Sequence, residues 1–169
     1  TNFDQKFSLY QSIIQQLNHG ISTGALFLLV GVIYERRHSR LIADFGGIAG
    51  VMPVYTGIFM LVTLSSIGLP GLNGFVGEFL ILAGAWEGHK LAVVGASLGI
   101  IFGAVYMLWM VQRVFWNPLV HEENRSLKEI APHEVLAVAP LLVLIVWIGV
   151  YPAPFLAPME AAVRLLCGS

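Results

Sequence analysis

The sequence predicts an all-α polytopic bundle of transmembrane helices with four membrane crossings, the second of which is a discontinuous helix. Of the 169 residues, 57% are hydrophobic and 11% are charged, whereas a typical soluble domain is roughly half apolar and a quarter charged. The charged residues cluster between long uncharged runs, and one apolar run is interrupted by glycine and proline. Together these three observations exclude an ordinary soluble fold.

Three runs contain no charged residue, and they cover residues 7–34, 91–112 and 135–159. Each is longer than the about 20 apolar residues that cross a bilayer as a helix. Two prolines, Pro152 and Pro154, end the last of these helices. We therefore predict three continuous crossings, at about 10–33, 91–115 and 133–151.

The remaining apolar run, residues 45–86, contains Glu78 as its single charged residue. As one straight helix it would be about 63 Å long, roughly twice the hydrocarbon thickness of a bilayer. Its middle carries three glycines and a proline between Ile67 and Gly74, a composition that does not continue an unbroken helix. We predict one crossing over about 53–86, broken near 68–73.

The distribution of positive charge supports a single crossing of this run. Successive flanking segments contain one, three, one, three and one Lys or Arg residues, which is the alternation expected when positive flanks face the cytoplasm. Two crossings of 45–86 would abolish this alternation. We predict that the flanks 34–40 and 113–134 are cytoplasmic and that both ends of the chain lie outside. The chain begins at Thr1 without methionine, and we expect it to be part of a longer membrane protein.

Composition also excludes several functions. A net charge of −1 without a basic stripe excludes nucleic acid as a partner. The single cysteine, Cys167, excludes a disulfide framework and a cysteine-based metal site. The sequence shows no hydrolase, phosphate-binding or haem motif, so we predict no catalytic residue, no metal ligand and no cofactor on this chain.

Glu78 is the first candidate functional residue. A charged side chain at the centre of a membrane helix costs about 2.5 kcal/mol or more, so Glu78 should face the protein interior or water. We predict that Asn73 is the N-cap of the second half-helix, which places Glu78 near the positive end of its dipole. This field favours the anion and desolvation favours the neutral acid, as suits a group that changes protonation during transport. A permanent ion pair for assembly is the alternative.

The break provides three further candidates. Gly68 ends the first half-helix, and Pro70 and Gly71 allow the chain to turn. Discontinuous helices of transporters expose backbone groups that hold ions or water at such breaks. We predict the same beside Glu78; a packing kink without a transport role is the alternative.

Polar residues recur on one face of the first crossing at spacings of three and four residues: Gln11, Gln15, Asn18, His19 and Ser22. His19 lies near mid-membrane, and imidazole accepts and releases protons near neutral pH. With Ser22 and Thr23, we predict a hydrated relay in which Gln15 takes part. A neutral histidine that bonds helices together is the alternative.

Three stretches carry a resemblance to a known family: His19–Gly31, Tyr34–Arg40 and Ser66–Phe79. They resemble the C-terminal part of the chain M family, antiporter-like subunits of respiratory complex I, the proton-pumping NADH:quinone oxidoreductase. The resemblance covers almost the whole chain. It implies the last four of fourteen transmembrane helices, with His19 as the central histidine of the eleventh. It also implies that Glu78 is the glutamate of the broken twelfth helix, the terminal proton site.

The resemblance implies the outlet half of a proton channel in a bacterial inner membrane, with both chain ends periplasmic. It implies a translocase subunit whose redox groups, FMN, iron–sulfur clusters and quinone, belong to the rest of the complex. The implied partners are the other membrane-arm subunits, the N-terminal helices of the same subunit and the bilayer. Two alternatives remain: a subunit of a multisubunit Na⁺/H⁺ antiporter or membrane-bound hydrogenase, and a non-conducting structural element.

Overall fold

A computed structural model describes residues 2–167, and the side chains of residues 10–159, 162 and 163. Over the described backbone the chain is helical and contains no strand, so the predicted all-α class is confirmed. The helices are α1 Asn2–Arg37, α2 Ile48–Val51, α3 Pro53–Ser66, α4 Asn73–Ala85, α5 Lys90–Val111, α6 Glu122–Arg125, α7 Pro132–Val150 and α8 Ala153–Cys167. A 3₁₀ turn at Ile42–Asp44 precedes α2, and a π-helical segment at Gln112–Trp116 extends α5.

Within the described part of the chain, three helical segments are long and apolar enough to cross a membrane: Tyr10–Arg37, Lys90–Trp116 and Pro132–Val150. Helices α3 and α4 are apolar but contain only 14 and 13 residues, fewer than the about 20 that a spanning helix needs. These segments overlap the predicted crossings, and the number of crossings stays a prediction.

Glycine geometry separates α3 from α4. At the end of α3, the Gly68 N–H donates to the Ser65 carbonyl (3.2 Å) and the Leu69 N–H donates to the Leu64 carbonyl (3.0 Å). This pair of bonds is a Schellman motif, which requires a left-handed residue, and Gly68 supplies it with a φ of 76°. Gly71 has a φ of 93° and redirects the chain into α4. Both glycines have backbone conformations that residues with a side chain rarely adopt.

Helices α3 and α4 lie along α1 one after the other. Both helices run antiparallel to α1, so residue numbers that increase along α3 and α4 meet residue numbers that decrease along α1. The contacts occur in the order Tyr55–Leu29, Ser65–Ser22, Asn73–Asn18 and Gly77–Gln15. The two half-helices therefore form a single broken column beside α1.

Arg36, at the end of α1, binds the segment that leads into α7. Its guanidinium pairs with both carboxylate oxygens of Glu134, at 2.6 and 2.8 Å, and donates to the carbonyls of Lys128 and Glu129, at 2.8 and 3.2 Å. Such two-pronged Arg–carboxylate pairs are among the stronger polar contacts in proteins. The segment before α7 is therefore fixed to the end of α1, and we call this end of the molecule the loop end.

Glu129 belongs to the same segment and holds the first turn of α3. Its carboxylate accepts hydrogen bonds from the N–H groups of Val54 (2.8 Å) and Tyr55 (3.0 Å). The first N–H groups of a helix have no partner within the helix, and a carboxylate there also complements the helix dipole. A residue distant in sequence therefore caps the helix that leads to the break.

Helix α8 is not predicted by the sequence pattern. Helix α7 ends at Val150, before the proline pair as expected, but the chain becomes helical again at Ala153. Pro154 lies in the first turn of α8, where proline is tolerated because no intrahelical N–H is needed there. Helix α8 packs against α1, and the Phe155 ring meets Trp147 edge-on, with centroids 5.4 Å apart.

Candidate functional site

A cavity of about 440 Å³ lies where α1, the end of α3, α4 and α5 meet. The α5 wall includes the glycines Gly99 and Gly103, whose lack of side chains leaves this part of the cavity unfilled. The residues with polar side chains that line the cavity are Gln15, Asn18, His19, Ser22, Thr23, Ser65, Ser66, Glu78 and, from α5, Tyr106. The fold thus brings most of the polar candidates of the sequence analysis to one place.

Glu78 lies in the second turn of α4, partly buried. Its carboxylate packs against the backbone of Gly68, and a Cβ at that position would collide with Glu78 Oε2. No ion pair of Glu78 is found among the described residues, whose ion pairs join Arg36, Arg37 and Arg125 to other acids. The carboxylate therefore sits against the opened backbone of the break, facing the cavity.

His19 lines the cavity from α1 and is exposed in this chain. The Thr23 hydroxyl is 3.4 Å from each of its two ring nitrogens. His19 and Thr23 lie beside the main polar face of α1 rather than on it, because Asn18 and Ser22 point toward α3 and α4 and are buried. One helix therefore presents an imidazole and a hydroxyl to the cavity, and it presents Asn18 and Ser22 to α3 and α4.

Asn73 is not the N-cap that the sequence analysis predicted. Leu72 occupies the cap position with an extended backbone (φ −115°, ψ 160°), and Asn73 is the first helical residue. The Asn73 side chain instead reaches α1 and donates to the Asn18 carbonyl (3.1 Å), while the Asn18 amide donates to the Asn73 carbonyl (2.8 Å). These two hydrogen bonds join α1 to α4. Rules for helix caps consider only residues close in sequence, so they do not predict such a contact.

Two serines complete the contacts of Asn73. The Ser22 and Ser65 hydroxyl oxygens lie 2.8 Å apart, and they lie 3.3 and 2.5 Å from Asn73 Oδ1. Ser65 donates to Asn73 Oδ1 at the shorter distance, and the single proton of Ser22 is left for Ser65 Oγ or Asn73 Oδ1. Ser22, Ser65, Asn73 and Asn18 are all buried. We call these four residues the polar clasp. Because its hydroxyl is already bonded within the clasp, Ser22 joins helices as well as lining the cavity.

Two glycines of α4 allow this close packing. A Cβ at Gly74 would collide with the Ser65 carbonyl, and a Cβ at Gly77 would collide with the Gln15 side chain. The sequence analysis singled out Gly68, Pro70 and Gly71 at the break but missed these two. Gly74 and Gly77 are three residues apart, the spacing of neighbours on one helical face, and this was the available signal.

The sequence analysis also missed Ser65, Ser66 and the role of Asn18. The two serines end α3 immediately before the break, and polar residues at such a position were a usable signal. Among the residues whose side chains are described, no three His, Cys, Asp or Glu side chains come together as a metal site would require. The chemistry available in the cavity is proton exchange on a carboxylate and an imidazole among hydroxyls and amides.

Relatives of known name match most of the chain. It is 41% identical over 155 residues to NADH-quinone oxidoreductase subunit M of Rickettsia conorii, covering 92% of this chain and 31% of the relative. It is 44% identical over 142 residues to subunit M of Rhodobacter capsulatus, covering 84% and 28%. The match to NADH-ubiquinone oxidoreductase chain 4 of Arabidopsis thaliana is 42% identical and covers 92% and 31%. The chain spans about a third of the length of these relatives.

Solved structures match the fold over nearly the whole chain. A chain of respiratory complex I from Thermus thermophilus superposes with a TM-score of 0.79 at 32% identity, covering 96% of this chain and 36% of that chain. A chain of the Mrp complex from Dietzia superposes with a TM-score of 0.79 at 19% identity, covering 94% and 38%, and shows the fold alone. The family model for the NADH:quinone oxidoreductase/Mrp antiporter transmembrane region matches residues 3–112. The chain therefore belongs to the NADH:quinone oxidoreductase/Mrp antiporter family of membrane proteins.

Proposed function

We propose that this chain forms the outlet half of a proton channel in a proton-translocating subunit of an NADH:quinone oxidoreductase. The observation that carries the proposal is the cavity that Glu78 and His19, from two different helices, both line beside the break between α3 and α4. Ionisable residues within membrane helices are rare and mark ion pathways. The subunit M relatives, of which this chain covers about a third, support the same assignment.

In the proposed mechanism, a proton reaches His19 through water in the cavity. The imidazole accepts it on one nitrogen and releases a proton from the other, and the proton moves to the Glu78 carboxylate. The Gly68 backbone and the α4 dipole hold that carboxylate in place. Gln15, Thr23 and Ser66 would position the water, and the glycine turns at Gly68 and Gly71, with Pro70 between them, keep the cavity open. Electron transfer belongs to other subunits.

We also propose four membrane crossings, with α3 and α4 together forming the second. The sequential contacts of α3 and α4 along α1 support this count. The flanks 34–40 and 113–134 meet at the loop end, as the Arg37–Glu123 pair (2.7 Å) illustrates, which supports their assignment to one side. In this proposal that side is the cytoplasm, and both chain ends face the periplasm of a bacterial inner membrane.

The proposed partners are the N-terminal helices of the same subunit and the other membrane-arm subunits. His19 and the α5 face are exposed in this chain, although a titratable side chain in a membrane should face protein or water. FMN, iron–sulfur clusters and quinone would belong to those other subunits, and this chain would act in the translocase without redox residues of its own.

The test is Glu78→Gln in the full-length protein in its native membranes. Glutamine keeps the volume and cannot release a proton, so we expect proton translocation to fall by about tenfold or more while the complex still assembles. Glu87→Gln is the matched control, because Glu87 is exposed after α4, and it should translocate normally. Normal translocation by Glu78→Gln would remove the proposed role.

A sodium-coupled antiporter subunit is the second candidate, because the matching family model includes Mrp antiporters. Transport by the full-length protein that requires Na⁺ would favour it; transport unchanged in Na⁺-free medium would favour the proton. A non-conducting structural element is the third, and the polar clasp shows that part of the polar face joins helices. Unchanged translocation in both Glu78→Gln and His19→Ala would favour it.

A further inference from the structure

Four buried polar atoms have no hydrogen-bond partner among the described residues: Gln11 Nε2, Gln15 Oε1, Thr63 Oγ1 and Ser66 Oγ. Roughly nine in ten or more of the buried polar groups in proteins bond to protein or to ordered water. Two of these atoms lie on α1 and two on α3, and both helices pack against α4, which carries Glu78. Thr63 and Ser66 precede the break on the loop-end side, whereas Gln11 and Gln15 lie toward the opposite end.

The two glutamines lie on the face of α1 that runs along α4. Gln15 packs against Gly77, the neighbour of Glu78, and Gln11 is one helical turn further on the same face. Gln11 is only 3% exposed, so the residues of this chain already cover it and an additional helix has no access to its amide. Water is the partner small enough to reach an enclosed amide of this kind.

The positions along α1 place Gln15 at the depth of Glu78 and Gln11 between Glu78 and the membrane surface. Gln11 precedes Arg36 by 25 residues, which is about 38 Å of helix at 1.5 Å per residue. Arg36 lies at the loop end, and the hydrocarbon core is about 30 Å thick. Gln11 therefore reaches the surface opposite the loop end, with Gln15 and Glu78 about one turn inside it.

We propose that Gln15 and Gln11 hold a short file of water that is the exit route for the proton of Glu78. This inference rests on the proposed function. The protonated carboxyl of Glu78 gives its proton to the adjacent water, each water passes one proton onward, and one proton leaves at the surface while the carboxylate remains. The amides do not titrate; each orients water as donor and acceptor, so both glutamines are positioning residues.

The experiment compares Gln11→Leu and Gln15→Leu in the full-length protein in native membrane vesicles. Leucine keeps most of the side-chain volume and removes the groups that hold water. We expect NADH-driven proton translocation to fall on the order of tenfold, equivalent to about 1.4 kcal/mol of barrier. Gln16→Leu is the control, because Gln16 is exposed on another face of α1, and it should be unaffected. Gln11→Asn retains an amide and should restore part of the rate.

The outcomes distinguish a failure of the exit route from a failure of the proposed function. Translocation that is lost in Glu78→Gln but normal in both leucine variants overturns the route alone, whereas normal translocation in Glu78→Gln overturns the function. Cryo-EM of the native full-length assembly supplies a readout independent of activity and of variant folding. Ordered water beside Gln11 Nε2 and Gln15 Oε1 supports the route, and dry apolar packing around both amides overturns it.

Discussion

At the scale of single residues, the contact between Gly68 and Glu78 couples backbone geometry to the candidate proton site. Gly68 needs its positive φ to end α3, and the space where a side chain would project is filled by the Glu78 carboxylate. Gly71 has a similarly positive φ but faces open space. The two glycines therefore share a conformational requirement, and only one of them also sets the position of the carboxylate.

This difference predicts that Gly68→Ala is more harmful than Gly71→Ala. Each substitution places alanine in a left-handed conformation, at a cost of about 1–2 kcal/mol, and Gly68→Ala also displaces Glu78. We expect both variants of the full-length protein to lose thermal stability and only Gly68→Ala to lose most of its translocation. Equal losses of translocation would show that the contact with Glu78 does not matter.

Neighbouring residues on α1 are predicted to separate structure from transport. Asn18→Ala removes a buried partner of Asn73, and a buried polar group left without its partner costs about 1–3 kcal/mol, so its melting temperature should fall. His19→Ala removes an exposed side chain of this chain, so we expect nearly normal stability and a partial loss of translocation. Thermal unfolding and a proton-translocation assay check the pair. A stable, active Asn18→Ala would contradict the structural role of the clasp.

At the scale of helices, α3 is held at both ends by groups outside it. Glu129 caps its first turn, and the clasp holds its last turn through Ser65. The sequence predicted where α3 begins and ends, because Pro53 starts helices and Gly68 ends them. It did not predict the cap, because Glu129 lies 74 and 75 positions from the N–H groups it accepts.

We predict that Glu129→Gln loosens the start of α3. Glutamine keeps an acceptor but loses the charge that complements the helix dipole, a difference of about 0.3–1 kcal/mol. The Val54 and Tyr55 amides should exchange faster with deuterium than in the unmodified full-length protein. Glu122→Gln is the control, because the exposed Glu122–Arg125 pair is of a kind that contributes little to stability. Equal exchange in both variants would mean that the cap does not hold α3.

At the scale of the whole molecule, the topology depends on whether α3 and α4 together cross the membrane once or twice. One crossing by α3 and α4 puts residues 38 and 122 on the same side and residue 88 on the other. Two crossings would put residues 38 and 88 together. Charge counting favours one crossing, and the order of the contacts along α1 favours it independently.

Thiol labelling tests this topology. In a Cys167→Ser background, His38→Cys and Glu122→Cys should react with a membrane-impermeant reagent from the cytoplasmic side, and Gly88→Cys from the opposite side. All three positions are exposed in this chain. Labelling of residues 38 and 88 from one side would require α3 and α4 to cross separately.

The sequence by itself determined the helical membrane class, the break near Gly68 and the two titratable candidates, because hydropathy and glycine or proline conformation are local properties. Only the tertiary structure decided what the polar side chains contact. Asn73 bonds to Asn18 instead of capping its own helix, Ser22 joins the clasp, and Glu129 caps α3. Those contacts depend on packing between residues that are far apart in the chain, and such packing competes with local preferences and here prevails over them.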